Sequence, residues 1–213
     1  MAPSAGDAGS IRKETTAPAA APLGLWGQIR EDWQAHGRDW TKPGFRAVAV
    51  HRFGVWRMGI RPKLLRAPFS LLYRRFYRRV RNHYGIDLPY TVSLGRRVVF
   101  EHCGAIVIHG NAAIGDECIV RQGVTIGLRS TDRLLDVPQL GARVDIGAGA
   151  KILGKVRVGD GVQIGANAVV LRDLPAGAIA VGIPARVIAL AETESDSHFF
   201  YDRPESFPAA DGK

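Results

Sequence analysis

The sequence predicts a mainly β fold, a solenoid of short parallel strands, with a short α-helical domain in front of it. Two observations carry that expectation. Twelve apolar residues recur on a six-residue beat: Leu94, Phe100, Ile106; then Ile114, Val120, Ile126; then Leu140, Ile146, Ile152, Val158, Ile164 and Val170. Gly follows directly in Ile114-Gly115, Ile126-Gly127, Leu140-Gly141, Ile146-Gly147 and Ile164-Gly165, and a small or β-branched residue stands four places on, as at Cys118, Val124, Val144, Ala150, Val162 and Ala168. A helical period of 3.6 cannot keep such residues on one face, and a simple strand alternates with period two. A hexapeptide period marks stacked parallel strands in which each unit buries its apolar face against the next.

Three such hexads close one triangular coil of about 18 residues, and stacked coils lie ~4.8 Å apart, the spacing of hydrogen-bonded strands. Gly or Asn relieves strain at the corners, Asn167 being one candidate. The beat slips twice. Two extra residues fall between Ile106 and Ile114, and eight fall within Leu128–Gln139. Extra residues in a solenoid leave it as loops, and loops build sites. The second insertion carries Arg129, Asp132, Arg133 and Asp136.

The rest of the chain reads differently. Residues 1–22, rich in Ala, Pro, Gly and Ser, read as a disordered lead. Residues 23–84 read as helical. Trp26, Ile29, Trp33 and Trp40 recur at roughly helical spacing, Pro43 opens a second helix, and a third starts near Pro68 with a stripe of Phe69, Leu72, Phe76 and Val80. Gly85 ends it. Residues 85–188 form the solenoid, with Val181–Arg186 as a final partial turn, and residues 189–213 read as an acidic tail with a Phe199-Phe200-Tyr201 cluster.

Composition narrows the function classes. No stretch reaches the ~18 apolar residues of a spanning helix, and the N-terminus lacks an apolar h-region. The two cysteines, Cys103 and Cys118, make no disulfide framework, so a cytoplasmic location is expected. The net charge of +9 is uneven: residues 11–84 carry +12 and residues 85–213 carry −2.

Glu101-His102, the run Gly147-Ala148-Gly149-Ala150-Lys151-Ile152-Leu153-Gly154, and Val181-Gly182-Ile183-Pro184-Ala185-Arg186 resemble serine O-acetyltransferase, one of the left-handed β-helix acyltransferases. The likeness covers roughly residues 85–188. It implies a left-handed parallel β-helix, acetyl-CoA as co-substrate, no metal, and a homotrimer, with a dimer of trimers open. It implies that His102 is the general base taking the acceptor's hydroxyl proton, a role suited to a near-neutral imidazole. Asp87 matches the aspartate that orients this base, and Glu101 the carboxylate that meets the acceptor. Gly127, Gly147, Ala148 and Ala166 match positions whose backbone lines the pantetheine groove. Lys151 and Arg186 are candidates for the CoA phosphates.

Where the family carries Arg-His-Pro to hold the serine carboxylate, this chain has Asp136-Val137-Pro138. Arg129 or Arg133 is the candidate replacement. The first expectation is therefore transfer of acetyl to L-serine, the alternative a sugar hydroxyl of a surface or exported polysaccharide, and a third reading a non-catalytic trimeric scaffold. A zinc site is disfavoured, since His102 and His109 are the only solenoid histidines and an open catalytic site takes three protein ligands. Cys103 reads as packing rather than nucleophile. The arginines of the third helix fit a solvated or packing face, or a peripheral membrane contact over residues 68–84. No recognised nucleic-acid motif accompanies them.

Overall fold

The computed structural model describes residues 23–190; the expected lead over 1–22 and nearly all of the expected tail lie outside the described residues. The chain opens with α1 (Leu25–Ala35), α2 (Pro43–Met58) and α3 (Lys63–Arg79), the last passing into a five-residue π-turn, Val80–Tyr84. Gly85, at φ 65°, ends the helical part, and the chain enters a three-faced prism. One face stacks β1 (Ile86–Asp87), β4 (Ile106–Ile108), β7 (Thr125–Gly127), β10 (Lys151–Leu153) and β13 (Val169–Val170). The second stacks β2 (Ser93–Leu94), β5 (Ala113–Ile114), β8 (Gln139–Leu140) and β11 (Arg157–Val158). The third stacks β3 (Val99–Phe100), β6 (Ile119–Val120), β9 (Asp145–Ile146), β12 (Gln163–Ile164) and β14 (Ala178–Val181), closed by the antiparallel β15 (Arg186–Leu190). This is the left-handed parallel β-helix with a helical N-terminus that the hexads predict.

The beat works as expected. Eleven of the twelve sixth-residue positions are buried, and Leu94 is partly buried against the same core. The residues four places on are buried too: Cys118, Val124, Val144, Ala150, Val162 and Ala168. Buried isoleucines stack in columns, Ile126 on Ile152 and Ile146 on Ile164. Each fully buried aliphatic side chain contributes roughly 1.5–3 kcal/mol. Asn167 turns its corner at φ 57°, the left-handed conformation that asparagine tolerates.

The slips in the beat appear as irregular coils. Gln139 pairs with Arg157, a regular step of 18 residues. Ala113 pairs with Gln139, a step of 26, and the eight surplus residues leave the prism between β7 and β8. Ser93 pairs with Ala113, a step of 20. Phe100 pairs with Val120 and Ile108 with Ile126, so the two surplus residues fall between Phe100 and Ile108, at the corner that carries His102, and not between Ile106 and Ile114 as expected.

The helical part departs from its expected outline. Trp40 lies beyond the end of α1, and Trp26 is exposed. α3 starts at Lys63, so Pro68 sits inside it rather than at its first turn. The expected stripe is split: Val80 is buried, Phe69 is half-buried, and Leu72 and Phe76 face outward, while Tyr73, outside that stripe, is buried. A stacked Tyr73–Tyr77 pair, not the leucines, forms the packing side of α3. The C-terminal strand β15 continues through Leu190, two residues past the expected end of the solenoid.

Candidate active site

The prism has three edges, and they sort the candidate residues. The edge between the third and first faces carries Glu101 and His102 in the first coil, Arg121 in the next, then Gly147 with Ala148, then Gly165 with Ala166. The edge between the first and second faces carries His109, Gly127 at its margin, and the extruded loop with Arg129, Arg133 and Asp136. One chain therefore brings His102, Glu101, Gly147, Ala148 and Ala166 to one edge and leaves Arg129 and Arg133 on another.

His102 turns its corner at φ 64°. Arg97, Ala105, Glu117, Arg143 and Asn167 turn in the same left-handed conformation, so this geometry marks a corner of the prism and not a site. Its side chain is exposed and lines a cleft of about 520 Å³. The other wall comes from the helical part, His36, Lys42 and Gly44. Gly44 allows that approach, because a Cβ there would fall 1.9 Å from the Phe100 carbonyl oxygen. His36 is buried behind the cleft. Its Nδ1 lies 2.6 Å from the Asp32 carbonyl, and its Nε2 accepts from the Phe100 amide at 3.3 Å. Burial pushes its pKa down, which keeps the ring neutral and able to accept.

Asp87 is not hydrogen-bonded to His102 among the described residues. The enlarged first coil sets Asp87 in register with Val107, around the corner from His102, and its carboxylate accepts a hydrogen bond from the Tyr77 hydroxyl. Burial, and next that bond, raise the Tyr77 pKa well above the phenol range, so Tyr77 remains a donor. Glu101 is not free to meet a ligand unopposed: Arg121 Nε lies 2.9 Å from its carboxylate, and the same guanidinium pairs with Asp145. The sequence reading missed Arg121 and Tyr77. A signal for Arg121 existed: later coils place Gly147 and Gly165 after the sixth-residue position, whereas Phe100 and Val120 are followed by Glu101 and Arg121.

The groove candidates divide similarly. A Cβ on Gly147 would lie 2.5 Å from the Ala166 amide nitrogen, so the coils touch here with no room for a side chain. Gly147 is buried under that contact, and the surface of the edge beside it is formed by the small residues Ala148, half-buried, and Ala166, exposed. Gly127 gives its carbonyl to the Gly154 amide at 2.9 Å. Lys151 Nζ donates to the Gly123 carbonyl, and Arg186 is exposed at the start of β15. In the loop, Arg133 lies 3.7 Å from Asp136, and Val137 is buried. Cys118 is buried, with its thiol pushed up to about 12 by desolvation; Cys103 is exposed. Among the described residues, no cluster of three or more His, Cys, Asp or Glu could hold a metal ion.

Comparison with known proteins agrees with this geometry. The family described as "Bacterial transferase hexapeptide (six repeats)" matches residues 138–172. The serine acetyltransferase of Helicobacter pylori (strain J99) is 38% identical over 146 residues, covering 68% of this chain and 81% of that protein. The chain belongs to the serine acetyltransferase family. Its relative in Synechococcus elongatus is 35% identical over 168 residues, 77% of this chain but 64% of that protein, so the chain spans just under two thirds of that relative's length. The Brucella abortus serine acetyltransferase solved in complex with coenzyme A superposes with a TM-score of 0.65 at 28% identity, covering 78% of this chain and 68% of that one. Among the described residues of this family member, no helix is long and apolar enough to cross a membrane.

Proposed function

We propose that the chain is an acetyl-CoA-dependent O-acetyltransferase, with L-serine as the first acceptor to consider. The observation that carries this reading is the shared edge: an exposed His102 stands on the same prism edge as the small residues Gly147, Ala148 and Ala166. His102 takes the proton from the acceptor hydroxyl as its oxygen attacks the thioester carbonyl, and a backbone amide of that edge stabilises the oxyanion. The thioester C–S bond then breaks and the CoA thiolate leaves with the proton. Tyr77 holds the Asp87 carboxylate near the corner, and Asp87 orients the imidazole once substrate is bound. Glu101, held by Arg121, faces the acceptor side. Lys151 and Arg186 supply cations for the CoA phosphates.

A homotrimer belongs to the same proposal. Arg129 and Arg133 lie on a different edge from His102, so a neighbouring copy's loop is what would complete the site. Asp136 and the buried Val137, standing where the family carries Arg-His, favour a second reading in which the acceptor is a sugar hydroxyl without a carboxylate.

The test is release of CoA from acetyl-CoA with L-serine and with a panel of sugars. Serine-dependent release supports the first reading. Release with a sugar alone moves the acceptor but keeps the chemistry. No release with any acceptor, together with no binding of acetyl-CoA, leaves only the scaffold reading.

A further inference from the structure

The outward face of α3 does no packing work. Its inner side docks through Tyr73, Tyr77 and Val80, whereas its first half exposes Leu64 at 89%, Leu65 at 63% and Leu71 at 70%. The second half exposes Arg74, Arg75, Arg78 and Arg79, and none of the four forms an ion pair or hydrogen bond with any described residue. From residue 40 to residue 86 the chain holds twelve Lys/Arg and no Asp or Glu. The leucine surface left in water is unfavourable, and nothing in the fold covers it.

We propose that α3 is a membrane-surface anchor, lying against an anionic phospholipid bilayer. The leucines enter the boundary between headgroups and acyl chains, and the arginines pair with headgroup phosphates. A second copy of the chain is a poor occupant, because a two-fold contact through this face sets arginines against leucines in an antiparallel pair and against arginines in a parallel one, and neither supplies an anion. Nucleic acid would use the arginines but leave the leucines in water. A bilayer satisfies both halves at once. The inference does not depend on which hydroxyl is acetylated.

Flotation of the full chain with phosphatidylcholine vesicles, with and without phosphatidylglycerol, tests it. Binding is expected only to the vesicles containing phosphatidylglycerol, and it weakens as salt rises. Each arginine near an anionic surface is worth about fivefold in binding, so Arg74→Gln/Arg78→Gln weakens it roughly 25-fold. Leu64→Ser/Leu71→Ser weakens it at least tenfold at unchanged charge, since each leucine buries a whole side chain. Both variants keep the parent's far-ultraviolet spectrum and acetyl-CoA binding. No binding to anionic vesicles overturns the proposal. So does binding that ignores the leucines, tight binding of an oligonucleotide in place of vesicles, or a larger assembly in solution that these variants dissolve.

Discussion

The prism and the helical cap are stabilised in opposite ways. In the prism the interior is apolar and repetitive, and each coil repeats the contact of the one before it. In the cap the buried set includes Asp32, His36, His51, Arg52 and Arg57, and every buried charged or histidine side chain among the described residues lies there. Arg52 shows why. It pairs with Asp32, Nε to Oδ2 at 2.8 Å, and donates to the Leu94 carbonyl at 2.8 Å and to the Gly95 carbonyl. His51 lies 3.0 Å from the Val92 carbonyl, and His36 accepts from Phe100. The cap is thus fastened to the first coil through that coil's own backbone groups. A repeat that can stack on itself needs only apolar columns; its terminal coil has no preceding coil and needs another cover.

This contrast can be broken most sharply in the cap. Asp32→Ala leaves the Arg52 guanidinium buried without its carboxylate, and a loss of about 3–5 kcal/mol is expected. All four tryptophans, Trp26, Trp33, Trp40 and Trp56, lie in the helical part, so tryptophan fluorescence during denaturation reads the cap while hydrogen exchange of the strand amides follows the prism. The fluorescence transition should move to lower denaturant, well ahead of the loss of strand-amide protection.

Acid comes next. Burial lowers the His51 pKa from 6.5 to about 4. The unfolded chain therefore binds a proton that the folded cap refuses between those values. The resulting stability is complete above pH 6.5 and is lost as pH falls toward 4, by about 3 kcal/mol. His36 shifts in the same direction. His51→Gln should flatten this slope of unfolding free energy against pH; an unchanged slope would remove His51 from the explanation.

A single methyl in the prism matters less. Ile146→Val removes one from a fully buried column, with an expected cost of about 1 kcal/mol seen in the hydrogen exchange of the strand amides. Smallest is Leu64→Ser on the outward face of α3, within about 0.5 kcal/mol in solution, because the fold does not use that side chain.

The same contrast explains what was legible in the sequence. The prism could be read because its physics is periodic: sixth residues buried, corners at Asn167 and His102, surplus residues expelled between β7 and β8. The cap could not, because its contacts are polar and long-range. Asp32 and His36 stand in no motif; only the fold brings Arg52 and Phe100 to meet them. Gly54 carries no such signal in the sequence; a Cβ there would lie 2.6 Å from the Tyr73 ring, so it is where α2 and α3 touch. In the site, His102 and Glu101 were legible from one local motif. The partners of Glu101 and Asp87 were not, since Arg121 lies one coil away and Tyr77 lies on a different element.

His102, on the edge it shares with Gly147, Ala148 and Ala166, is the residue proposed to remove the acceptor proton. His102→Asn keeps the shape of the corner and deletes the base. Measured as acceptor-dependent release of CoA, its rate should fall roughly 10²–10⁴-fold while acetyl-CoA binds as tightly as before. A variant that retains the parent rate would contradict the account.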